Sequence, residues 1–304
     1  MRNQQPPDLP FTPPGFGWVR DLPDPRDYVV TSPSRISRFF RPNGDSAYAE
    51  HPQHDRCDFS GYFPPVRCQT TDINSSSAFA CTALFEYFHF RYRGFHKEFS
   101  KQFVHENAQK LLGKRNELGI PIRDALRTIR QFGTPEFQYC ESGKLSLSDP
   151  FLYGFHEFFA HFEYFRLDKG IPSLSLIKAF LISEIPIAMG VCVPSGIGSD
   201  GLFPYFPASN SIIGGQVLVA VGFDDNIHFN RQIPKGAIRV RNSWGANWGE
   251  DGYGWIPYGY IASDMVGDCW IVLDEDWMFG GEDPINPKIG LVNEIEKLIG
   301  VQKW

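Results

Sequence analysis

The first clear pattern along the chain is an apolar and aromatic run over residues 75–92 with few breakers, headed by Ser75, Ser76 and Ser77. Serine hydroxyls accept from the open N–H groups of a first helical turn, so this run predicts a buried helix that starts at one of those three residues. Further helices are predicted over 99–112, capped by Ser100, over 122–132, closed by Gly133 and Pro135, and over 174–183. From Pro186 onward the spacing changes. Short β-branched or alternating runs over 187–193, 216–223, 236–241 and 270–273, punctuated by Gly and Asp, predict strands. Helices first and antiparallel strands second give an α+β fold with two lobes. Residues 1–50 are rich in Pro and polar residues and predict an extended arm without a core of its own. The organisation read from these shifts is an arm over 1–50, a helical lobe over 51–150, a β-rich lobe over 151–274 and an acidic tail over 275–304. The tail holds a short helix candidate at 291–300.

Composition narrows the possibilities. The 304 residues suffice to bury a substantial core, and 27 phenylalanines point to aromatic packing in a core or an interface. A net charge of −6 with no basic run argues against a general nucleic-acid role and against binding to an anionic membrane surface. No apolar run approaches the roughly 20 residues needed to span a bilayer, since the richest stretch, around 185–193, is short and contains Pro186. The first residues, MRNQQPPDLPF, lack the apolar core of a secretory signal, so an intracellular or particle-associated location is expected. Six scattered cysteines (Cys57, Cys68, Cys81, Cys140, Cys192 and Cys269) contain no CxxC pair. Mostly free thiols are therefore expected, and no metal site.

The strongest local signal is RNSWGANWGEDGYGWIPY over 241–258. Asn242-Ser243-Trp244-Gly245, then Trp248-Gly249 and Gly252-Tyr253, resembles the block around the third catalytic residue of papain-like cysteine peptidases. The resemblance extends over about residues 15–273. GWVRDLPDPRDY (17–28) looks like the segment preceding the mature domain in bacterial and viral members. FPPVRCQ (63–69) is similar to the approach to the oxyanion-hole glutamine, and GGQVLVAVGFDD (214–225) to the histidine strand. The resemblance implies a papain-like two-lobe fold with a helical left lobe, an antiparallel β-barrel-like right lobe and a cleft between them. It implies that Gln69 donates to the oxyanion, that Asn242 orients the catalytic imidazole and that Trp244 shields that contact from water. Asp200, Gly201, Leu202 and Phe203 become candidates for the cleft wall.

Two departures bear on activity. Such a peptidase needs a thiolate at a helix N-terminus with an imidazolium beside it. Here the segment reads QTTDINSSSAFACTALFEY, which places Ser76 at the nucleophile position, with Ser75 and Ser77 as neighbouring alignments. It also carries Thr70 where glycine is usual and one extra residue after Gln69. Cys81 lies 12 residues beyond Gln69, inside the apolar run, where a small buried core residue is the better reading. The strand that usually carries the histidine reads Gly214-Gly215-Gln216, and a glutamine amide cannot take up a proton at physiological pH. His156 and His161 fall in an aromatic stretch and His228 follows a turn, so none lies on that strand. A hydroxyl without a base is a feeble nucleophile, and losing one member of such a unit costs on the order of a millionfold in rate.

These residues imply a papain-like protein without peptidase activity that binds a peptide or protein. The alternatives are a structural, minor-capsid-like component of a large assembly, contacting neighbouring subunits, and a peptidase after all, natural or engineered at Ser76. No cofactor is implied. The N-terminal arm could itself lie through the cleft as a propeptide does.

Overall fold

The computed structural model describes residues 11–29, 55–69, 74–113, 119–140, 148–155, 161–167, 172–204, 211–229 and 234–274. The predicted tail, the ends of the arm and His156 lie outside these residues.

The long apolar run forms helix α1, Ser76–Arg93, which ends at the left-handed Gly94. Helices α2 (Lys101–Leu111) and α3 (Ile122–Phe132) pack against it. Short helical turns α4 (Phe137–Cys140) and α5 (Pro150–Tyr153) follow, then α6 (Leu174–Ile182) and α7 (Gly259–Ala262). The strands are β1 (Arg56–Asp58), β2 (Glu163–Arg166), β3 (Ile187–Pro194), β4 (Ile212–Asp224), β5 (Ala237–Arg241), β6 (Tyr253–Pro257) and β7 (Val266–Leu273). They form one antiparallel sheet in the order β2-β7-β3-β4-β5-β6, with β1 also paired to the far end of β4. The lobe expected to be barrel-like is thus an open sheet among the described residues.

Ser100 caps α2 as predicted: its hydroxyl accepts from the Phe103 N–H at 3.2 Å while its own carbonyl accepts from Thr134. Ser100→Ala is expected to cost about 1 kcal/mol, read as a lower urea midpoint at unchanged slope. The serines at the head of α1 behave differently from the expected caps. Ser75 is the N-cap residue but its side chain makes no capping bond. The Ser76 hydroxyl accepts from Val217 N at 3.1 Å, and the Ser77 hydroxyl donates to Ile120 O at 2.5 Å. Both tie the helix start to the rest of the fold rather than to its own first turn.

The sheet and α1 share one core in which Phe85, Phe88, Phe162, Phe180 and Trp270 are fully buried. Ala80 and Ala83 of α1 and Val217 and Val219 of β4 line a cavity that Glu86, Lys101 and Arg241 also border. Cys81 is fully buried and donates to Ile122 O, and burial pushes its thiol well up, which suits a core residue. Cys57, Cys68, Cys81 and Cys192 are free thiols. No described helix is long and apolar enough to cross a membrane.

Candidate functional site

The start of α1, the middle of β4 and the β5–β6 connection converge on a buried polar cluster. Gln216 projects from β4 with its amide Nε2 2.9 Å from Asn242 Oδ1, 3.1 Å from Ser243 Oγ and 3.2 Å from Gln69 Oε1. Ser243 in turn donates to Gln69 Oε1 at 2.6 Å. Asn242 is held by its backbone N–H to Gly252 O, and its Oδ1 also accepts from Ser243 N. All four residues are buried. Gln216 Oε1 and Asn242 Nδ2 are buried without a hydrogen-bond partner among the described residues. The structure therefore brings together Gln69, Gln216 and Asn242, and adds Ser243, which the sequence analysis did not single out. Ser76 stands at the edge of this cluster, its hydroxyl bonded to the β4 backbone rather than to the amides.

The other expected residues are placed as follows. Trp244 is buried, stacks edge-on against Trp248 and donates from Nε1 to Gly15 O at 3.0 Å. Phe203 is buried against Trp248 and Tyr260, and Gly201, at φ +79°, packs on Gly249 and the Tyr253 carbonyl. Leu202 is the exposed member of that trio and bridges Trp255. His161 and His228 are both exposed.

The groove above the cluster is not empty of protein. Residues Phe16 to Trp18 of the arm lie across it. Phe16 O accepts from Gln69 Nε2 at 2.9 Å and from Ser76 N at 3.4 Å. Gly17 N and Trp18 N both donate to Gly215 O, at 3.1 and 3.0 Å. Gly17 takes φ +148°, a backbone conformation open to glycine. The Phe11 ring lies 5.6 Å from that of Trp244.

Beyond the triplet the arm is fastened to β7. Asp268 has a left-handed backbone (φ +50°) where the β3–β7 register slips, and such a bulge re-aims its side chain. Its carboxylate accepts from Trp18 Nε1 at 3.0 Å, from Asp21 N at 2.8 Å and from Arg166 at 2.6 Å. Asp21 accepts from Trp270 Nε1 at 2.8 Å. Burial, reinforced by the charge of Asp268, pushes the Asp21 carboxyl up to about 7, although Arg123, Trp270 and Arg166 pull it back in part. Farther along, Asp27 pairs with Arg123, and Tyr28 O accepts from Arg166 N. Trp18 and Asp21 lie within the segment 17–28 that the sequence singles out, but their meeting with Asp268, some 250 positions along the chain, has no local signal.

Comparison with known proteins follows this geometry. No family model matches the chain. It is similar to an uncharacterized peptidase C1-like protein, L477, of Acanthamoeba polyphaga mimivirus, at 24% identity over 309 residues covering 90% of this chain and 92% of that one. Its structure is similar to that of xylellain, a cysteine protease from Xylella fastidiosa. That match has a TM-score of 0.65 at 24% identity, over 89% of this chain and 99% of the other. It is also similar to the ragweed pollen allergen Amb a 11, a cysteine protease in its proform, with a TM-score of 0.55 at 20% identity, over 82% and 76% of the two chains. The fold is papain-like.

Proposed function

We propose that this chain belongs to the papain-like C1 group and that it is a member without peptidase activity, acting as a peptide- or protein-binding scaffold. The observation that carries this reading is the bonding of Gln216. Its amide donates to Asn242 Oδ1 at 2.9 Å, the contact through which the resemblance would have an imidazole oriented. A neutral amide keeps that bond but cannot take a proton from a nucleophile or hand one to a leaving amine. Ser76, at the position assigned to the nucleophile, has its hydroxyl engaged as an acceptor by Val217 N rather than paired with a base. Gln69 Nε2 is the donor the resemblance assigns to an oxyanion, and the Phe16 carbonyl already takes it, together with the Ser76 N–H. This is a holding arrangement: hydrogen-bond donors are kept and the proton-transfer group is replaced.

The test is hydrolysis of a mixed fluorogenic peptide library by the chain carrying Gly17→Val, which frees the groove, and by the same chain with Ser76→Cys and Gln216→His added. The first should be silent and the second should cleave. Turnover above background by the first would sink the reading, because occlusion by the arm could no longer be confused with lost chemistry. Silence from both would remove the peptide groove from the proposal and leave a structural role.

A further inference from the structure

The groove floor is built of glycines contributed by three neighbouring strands. Gly190 of β3 faces Val217 of β4 across the ladder, Gly215 of β4 faces Cys192, and Gly190 also pairs with Gly267 of β7. Glycine inside a strand weakens it and marks a place where something approaches closely. Here that something is an aromatic ring. A Cβ on Gly190 would fall inside the Trp18 indole, and one on Gly215 would lie 2.9 Å from the same ring. Gly267 is in ordinary contact with the outer edge of the indole, 3.7 Å from a Cβ position. One strand position away, a Cβ on Gly214 would lie 2.7 Å from the Phe16 ring. Between the two rings the fit reverses. A Cβ on Gly17 would lie 2.6 Å from the Asn74 carbonyl and 2.7 Å from Ser76 N, and Gly119 closes over the Gly17 carbonyl from the other side. The groove has thus lost side chains where rings enter and has closed on the backbone where the glycine passes.

We propose that this groove is a recognition site for an extended peptide from another polypeptide that carries an aromatic–glycine–aromatic triplet, and that Phe16-Gly17-Trp18 is its resident, exchangeable occupant. The proposal rests on the non-catalytic reading above and names the ligand class of the same site. The hydrogen bonds from Gly17 N and Trp18 N to Gly215 O, and to Phe16 O from Gln69 and Ser76, read only backbone. They supply affinity to any extended strand, while the ring pockets and the closed middle position supply selectivity. The Trp18 Nε1 bond to Asp268 adds a preference for tryptophan at the third position. Exchange starts from the weak points that lie beside the arm's fastenings at Asp21 and Asp27. Leu22 is 79% exposed, and the Arg20–Asp264 pair has both side chains 54% exposed, a kind of contact that holds weakly. Asp21 must share a buried site with Asp268.

The experiment uses the full chain carrying Gly17→Val, titrated with a fluorescein-labelled synthetic peptide of residues 11–29. The same peptide with Gly17→Val and with Trp18→Ala serves as comparison. The expected result is saturable binding of the native peptide, at least tenfold tighter than either altered peptide. Binding to the unmodified chain should be at least tenfold weaker, because its tethered arm competes at an effective concentration on the order of millimolar. Equal binding of all three peptides, or none to a chain that still unfolds cooperatively, overturns the proposal. If the Gly17→Val chain fails to fold, the Trp18→Ala chain replaces it as host with the same expectations. A host that ignores the peptide but elutes as a dimer assigns the groove to a second copy and also overturns it. Cleavage of the bound peptide would contradict the non-catalytic reading while leaving recognition intact. Absence of binding with a silent hydrolysis assay would do the reverse.

Discussion

The Gly17→Val chain is expected to release residues 11–29 from the groove and to make them about a hundredfold more sensitive to proteinase K, with the body of the fold left intact. The reasoning is steric. Gly17 sits at φ +148° with the Asn74 carbonyl and Ser76 N within 2.7 Å of where a Cβ would stand, and both neighbours are backbone. They cannot swing aside as the end of a flexible side chain could. Forcing extra carbons into such a site costs about 3 kcal/mol, and a loss of that size raises the open population about a hundredfold. Cleavage of a segment that opens and closes quickly follows that population. The rate of nicking within 11–29, followed by mass spectrometry, is the measurement. Gly61→Val, at an exposed glycine with nothing within 4 Å, is the control and should leave the rate unchanged. Equal nicking of the Gly17→Val and unmodified chains would mean the arm is not held where the structure places it.

Local rules carried the helices. The span over 122–132 was readable to the residue because its apolar face repeats with helical spacing and Gly133 and Pro135 stop it. Ser100 announced α2 for the reason it stabilises it. The strands were read short at their ends, and the glycines explain why. β4 begins at Ile212 rather than at 216, because Gly214 and Gly215 carry no strand signal of their own and exist for the arm. β7 begins at Val266, four residues before the run that announced it, and includes the bulge at Asp268. β2 was hidden in an aromatic stretch, where four residues of alternation cannot stand out, and β6 was absorbed into the Trp-Gly block. The polar cluster was largely legible, since Gln69, Gln216 and Asn242 lie in recognisable blocks. Ser243 was passed over because the block assigns its role to the neighbouring asparagine. What local pattern could not give is the seat of the arm. The phrase GWVRDLPDPRDY resembles a segment preceding a mature domain, but nothing within it points to Gly215 or Asp268. Glycines within the predicted strands were the available signal, and only a partner for them makes that signal readable.

The same arm should respond to pH, and in a direction fixed by Asp21. Burial first, and the nearby charge of Asp268 second, raise its carboxyl to about 7 when the arm is docked. In a released arm it returns to the ordinary aspartate value near 3.9. Docking therefore takes up a proton. Its stabilisation is fully present below about pH 4 and is lost as pH rises through about 7, beyond which it stays flat. A difference of about three units corresponds to about 4 kcal/mol at most. Of the groups that face Asp21, Asp268 raises its carboxyl, Arg123 and Arg166 lower it as fixed cations, and Trp270 donates a hydrogen bond. Nicking of residues 11–29 by proteinase K, corrected for the intrinsic rate on the free 11–29 peptide, should be at least tenfold slower at pH 5 than at pH 8. The Asp21→Asn chain keeps an acceptor for Trp270 but removes the buried charge, so its arm should stay closed at pH 8 as it does at pH 5. A variant that opens with the same pH dependence as the unmodified chain would place the titrating group elsewhere. Arg20–Asp264 is an exposed pair, so added salt should weaken that contact. An arm held by glycine-lined ring pockets and released by one buried carboxylate thus divides its roles within a few residues: Phe16, Gly17 and Trp18 fix where it sits, and Asp21 fixes when it leaves.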